Sequence, residues 1–132
     1  MTADQLKIRT KLYSVSIIDL VEKLPVTTAS RIVAHQIAKS GTSVGANYRA
    51  VCRARSDREF IAKMEIVLEE ADETLFWLEI IIEKNWLDKE AANLVWKEGN
   101  ELTAIFVSSL KTVKAKSNFI RLSSVRFECI SI

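Results

Sequence analysis

Leu6, Thr10, Tyr13, Ile17, Leu20 and Leu24 recur at alternating spacings of four and three, which places them on one face of an amphipathic helix. The lone proline, Pro25, ends that segment, because its ring removes a backbone donor and clashes with the preceding turn. Thr27 or Thr28 can cap the helix that follows. From Arg31 the set Val33, Ile37, Ser40, Val44, Tyr48 and Val51 repeats the rhythm through Gly41 and Gly45. A glycine inside a helix costs about 1 kcal/mol relative to alanine, so these two predict the close approach of a neighbouring helix. Ser56-Asp57-Arg58-Glu59 has the form of a capping box and opens a third helix. Its apolar set is Phe60, Met64, Val67, Leu68, Ala71, Leu75, Leu78 and Ile82. Asp88 can cap a fourth, with Val95, Leu102, Ile105, Phe106, Leu110 and Val113 as its stripe, fading at Lys114-Ala115-Lys116. The expected helices span residues 3–24, 28–54, 57–84 and 88–116. Connections this short predict antiparallel neighbours, hence an all-α, up-down-up-down four-helix bundle over residues 1–116. The tail 117–132 alternates polar and apolar residues loosely, and strand-like, frayed and partner-bound structures stay open for it.

The bundle leaves two faces unused. On a helical wheel the third helix carries Ile66, Phe76, Trp77 and Ile80 opposite its core stripe, with Glu69, Glu70 and Glu73 among them. Two aromatic and two aliphatic side chains gathered on one outward arc mark an association surface, which a single exposed apolar residue does not. The second helix carries Arg31, His35, Lys39, Arg49 and Arg53 within about 80° of one another, away from its core stripe. That basic face can pair with the acidic face of the third helix on an adjacent subunit, or it can bind phosphates. If unlike surfaces of successive subunits meet, the contact is heterologous and closes into a ring when the rotation permits. The pattern predicts homo-oligomerisation without fixing a subunit number.

Composition agrees with helices: 132 residues include only three glycines and one proline, too few for turn-rich β architecture. A net charge of +2 does not announce nucleic acid, so the argument rests on distribution. Residues 31–58 hold six Lys/Arg and one Asp, residues 59–90 hold ten acids and three Lys, and residues 111–126 hold five Lys/Arg and no acid. Segregated positive patches attract polyanions by counterion release. Tyr48 is the one aromatic among the basic residues of the second helix, so base stacking has little support. The N-terminus lacks a signal pattern, and no uncharged apolar run approaches the ~18 residues of a membrane span. Cys52 and Cys129, without a CxxC pair, fit a reduced cytoplasmic compartment rather than a disulfide scaffold.

Catalytic chemistry is missing. A di-iron bundle needs Glu-x-x-His on two helices, and His35 is the only histidine. Glu69, Glu70 and Glu73 fit solvation or ion pairing better than a metal site. Cys52 beside Arg53 and Arg55 has no base to activate it and reads as a small packed hydrophobe. Gly41-Thr42-Ser43-Val44-Gly45 lacks the Lys-Ser/Thr ending and the preceding strand of a phosphate loop. The sequence thus predicts no enzyme, no cofactor and no metal.

The run over residues 35–83 resembles the 23S ribosomal RNA intervening-sequence protein family, through Gln36, Ser40, Ser43, Ala46-Asn47, Arg55-Ser56, Phe60 and the Glu-rich centre of the third helix. Weaker similarity extends it over residues 1–116. Many relatives continue Ala-Asn with Ile-Ala-Glu-Gly, whereas this chain has Tyr48-Arg49-Ala50-Val51, which adds positive charge to the end of the second helix. The resemblance implies a four-helix bundle assembling as a homopentameric ring, and a role beside RNA or DNA. Some relatives are encoded within ribosomal RNA gene insertions, and a related branch serves the reverse transcriptase of diversity-generating retroelements. The leading expectation is a non-enzymatic adaptor whose contacts to nucleic acid, or to a nucleic-acid enzyme such as a reverse transcriptase, are Arg31, Lys39, Arg49, Arg53, Arg55 and Arg58. Its subunit interface is expected at Ile66, Glu69, Glu70, Glu73, Phe76, Trp77 and Ile80. The alternative is a purely structural oligomer whose arginines pair with those glutamates across the subunit boundary.

Overall fold

The computed structural model describes residues 1–131, with side chains to Ser117. It contains four helices, α1 (Ala3–Glu22), α2 (Thr28–Val51), α3 (Asp57–Glu83) and α4 (Lys89–Ser131), and no strand among the described residues. α1 packs on α2, α2 on α3, α3 on α4, and α1 also meets α4. The last helix carries the backbone past Lys116, where its apolar stripe fades, and into the segment whose structure the sequence left open.

Local chemistry sets the boundaries. Thr2 caps α1 and Thr27 caps α2, each in a reciprocal box with the residue three positions on, Gln5 and Ser30. Ser30 also donates to the Pro25 carbonyl, which ties the turn to the helix it precedes. Ser56 caps α3 by accepting from the Glu59 amide at 3.1 Å. The expected box is half present there, since Glu59 turns to Lys63 at 3.0 Å instead of reaching back. α3 ends in a Schellman turn: Asn85 adopts φ 55°, its amide donates to Ile82 and that of Trp86 to Ile81. Asparagine is among the few non-glycine residues that accept this conformation readily.

All six predicted core positions of the first segment and all six of α2 are buried. On α3 the expectation needs correction: Met64, Val67, Ala71, Leu75 and Leu78 are buried, but Phe60 and Leu68 are only half-buried against the core, and Ile81 is fully buried where Ile82, half-buried, was expected. On α4 Leu102, Phe106 and Leu110 are buried while Val95, Ile105 and Val113 are half-buried. Thr74 is also fully buried, its hydroxyl 2.9 Å from that of Ser40 and 2.7 Å from the Glu70 carbonyl. Close approach occurs where the helical glycines predict it. A Cβ at Gly41 would lie 2.7 Å from Ile17, and one at Gly45 would lie 3.1 Å from the Thr10 carbonyl oxygen. Arg9 fastens α1 to α4 through Glu98 at 2.6 Å and Glu101 at 2.9 Å.

Gly99 clears space for the buried Tyr13 hydroxyl, which has no hydrogen-bond partner among the described residues. A buried hydroxyl without a partner costs about 1–3 kcal/mol. Tyr13→Phe is therefore expected to leave stability unchanged or to raise it by up to ~1 kcal/mol in urea unfolding. A loss larger than that would mean that the hydroxyl is satisfied.

Candidate functional site

Helical periodicity delivers the basic residues to one surface. Burying Val33, Ile37, Val44 and Val51 turns Arg31, His35, Lys39 and Arg49 outward; α2 ends at Val51, short of the expected residue 54, so Arg53 lies in the turn beyond it, and all five are exposed. Arg55 and Arg58, in the α2–α3 turn and the first turn of α3, are exposed as well. Arg55 lies 3.6 Å from Glu59, with its side chain 88% accessible, a geometry that contributes little energy. Arg31, Lys39, Arg49, Arg53 and Arg58 enter no ion pair among the described residues. The Glu59 carboxyl is held below its usual range, first by hydrogen bonding to Lys63 and then by the charges of Lys63 and Arg55.

The outer face of α3 divides. Ile66 and Phe76 point outward, 45% and 53% exposed, where the helical wheel places them. Trp77 and Ile80 differ from expectation: both are half-buried and pack against the core from the flank. Trp77 lies at the edge of the outward arc on the wheel, where a bulky side chain folds back on the bundle. Trp77 stacks edge-on against Phe76, with ring centroids 4.9 Å apart, and its buried indole N–H has no acceptor among the described residues. Glu69 and Glu73 are exposed, and Glu70 is half-buried. Burial pushes the Glu70 carboxyl up, Glu73 and Glu69 reinforce this, and Lys39 opposes it. Lys39 thus acts on an acid of its own chain.

A second apolar face was missed from sequence. Ile8, Leu12, Val15 and Ile18 are exposed by 63%, 61%, 47% and 39%, and they follow spacings of four, three and three on the side of α1 opposite its core stripe. The signal was present in the chain, hidden behind the stronger core stripe of the same helix. Lys11, between Ile8 and Leu12 in the sequence, was also missed. It stands over the α1–α2 groove together with Arg49.

Cys52 is exposed as a free thiol and lines a separate cleft with Tyr48, Arg55 and Phe60. This departs from the packed hydrophobe expected of it, because Cys52 lies just past the last turn of α2, where the chain leaves the core. Burial raises the Tyr48 hydroxyl, with Cys52 adding to the shift. Among the described residues no three His, Cys, Asp or Glu side chains cluster as a metal site, and no helix is long and apolar enough to cross a membrane.

The family model described as 23S rRNA-intervening sequence protein matches residues 6–108. Among solved structures, a protein of unknown function from the S23 ribosomal protein family of Bacteroides thetaiotaomicron is 32% identical, with a TM-score of 0.75. The match covers 80% of this chain and 98% of that one. No curated protein matches the chain.

Proposed function

The chain belongs to the 23S rRNA-intervening sequence protein family, and from that premise we propose that it is a non-enzymatic oligomeric adaptor that binds nucleic acid through the basic surface of α2 and the α2–α3 turn. One observation carries the reading: five of the six candidate cations are exposed and unpaired among the described residues, and the sixth holds only a weak surface contact. Unpaired surface cations keep their attraction for a polyanion, whereas cations already held by carboxylates must give up one partner for another. The approach of Ile17 to Gly41 and of Thr10 to Gly45 fits an antiparallel α1–α2 pair, as an up-down-up-down bundle requires.

Self-association rests on two separate apolar faces. A heterologous ring needs two unlike surfaces per subunit, and the α3 patch around Ile66 and Phe76 and the α1 stripe from Ile8 to Ile18 supply them. A pentamer whose subunits meet α3 against α1 leaves the α2 arginines free. This favours the adaptor over a structural oligomer in which those arginines are consumed by Glu69, Glu70 and Glu73. Fluorescence anisotropy with generic RNA and DNA strands tests the reading. Binding is expected at ~50 mM salt and should fall steeply as salt rises; no detectable binding at that salt contradicts it.

A further inference from the structure

The groove between α1 and α2 has a volume of about 310 Å³ and is lined by Lys11, Ser14, Thr42, Gly45, Ala46 and Arg49. No carboxylate is among these lining residues. Its floor is made of small groups for a packing reason: a Cβ at Gly45 would stand 3.0 Å from the Ser14 hydroxyl and 3.1 Å from the Thr10 carbonyl oxygen, so the two helices touch there at backbone level. The Ser14 hydroxyl already donates to the Thr10 and Gly41 carbonyls, and that of Thr42 to the Ala38 carbonyl. The polar floor is therefore occupied with the helices themselves. The two long side chains at the rim, Lys11 and Arg49, are exposed and enter no ion pair among the described residues. Because Ile17 meets Gly41 while Thr10 meets Gly45, moving towards the start of α1 means moving towards the end of α2. Lys7, one helical turn before Lys11 and half-exposed, and Arg53, in the turn just past the end of α2, extend the two basic rims in the same direction.

We propose that this groove seats a backbone phosphate of a nucleic-acid strand between Lys11 and Arg49. Ser14, Gly45 and Ala46 leave the space, and Lys7 and Arg53 lead the strand onward. Recognition is of the phosphodiester, not of bases, since no aromatic side chain lines the groove. The inference rests on the nucleic-acid reading above and adds α1 to the binding surface, with Lys11 as a contact on the α2-facing side of α1, beside Ile8 and Leu12 rather than among them.

Ala46→Glu tests it, because Ala46 is exposed and a carboxylate there takes the phosphate's place between the two rims. With fluorescein-labelled RNA and DNA strands of equal length at ~100 mM salt, this variant should bind at least tenfold more weakly. Its salt slope should be shallower by close to one, for the one phosphate the groove no longer holds. Ala46→Gln, similar in size and uncharged, fills the space without repelling the phosphate and should weaken binding clearly less than Ala46→Glu. The double variant Lys11→Ala/Arg49→Ala should reproduce the shallower slope. Equal weakening on RNA and DNA is the result expected of a phosphate seat. Wild-type affinity in Ala46→Glu, equal weakening in the Glu and Gln variants, or weakening confined to RNA would each overturn the seat while leaving the adaptor reading standing. A wild-type protein that binds neither strand would overturn both.

Discussion

Phe76→Glu is expected to convert the protein from a particle several times 14.9 kDa into a folded monomer in light scattering at micromolar concentration. Phe76 is the side chain for this test because it is 53% exposed in the single subunit, so its replacement removes little from the core. In an assembled interface the introduced carboxylate would be desolvated without a partner and placed near Glu69 and Glu73, at a cost of several kcal/mol. Trp77→Glu would also dissociate a ring, yet Trp77 packs against the core, so dissociation and unfolding would coincide. Leu12→Glu on α1 should give the same monomer if α1 supplies the second face. Circular dichroism should show a helical spectrum in both variants. A wild-type monomer, or a Phe76→Glu variant of undiminished mass, contradicts the ring.

Gly41→Ala is expected to destabilise the fold by about 1–3 kcal/mol, the usual range for overpacking a filled core, although alanine is the better helix former by about 1 kcal/mol. Packing outweighs propensity here because the new methyl would meet three atoms of one side chain, at 2.7, 2.8 and 3.0 Å from Ile17. Ile17 is fully buried, and its β-branch has few rotamers to retreat into. A double-mutant cycle isolates this packing. Ile17→Val alone should cost ~0.5–1.5 kcal/mol, but in the Gly41→Ala background it should cost less or become stabilising. Additive effects would mean that the helices separate to admit the methyl.

How much of this was legible in the chain depends on whether a side chain answers to its own helix or to a neighbour. The stripes of the first segment and of α2 follow from a period of 3.6 alone, and their twelve positions are buried. On α3 the run Ile80-Ile81-Ile82 offers three equal hydrophobes, and only the packing of neighbouring helices decides that Ile81 points fully inward. Thr74 escaped notice as a core residue because its polarity is cancelled by the Glu70 carbonyl, a bond that composition does not reveal. For the candidate site, the outward direction of the α2 cations was readable from periodicity. Their joining with Lys11 was not, since it depends on the α1–α2 register that Gly41 and Gly45 set through close backbone approach.

The adaptor reading stands or falls on where the positive charge of α2 is used, and the triple variant Arg49→Ala/Arg53→Ala/Arg55→Ala measures this directly. Its nucleic-acid affinity should be followed as a function of salt, with the particle mass recorded on the same sample. If the arginines face phosphates, the slope of log affinity against log salt should flatten by close to one unit for each phosphate left without its arginine, while the mass stays at the wild-type multiple of 14.9 kDa. An unchanged slope, with an assembly that breaks down because Glu69, Glu70 and Glu73 are left without partners across the subunit boundary, would contradict it.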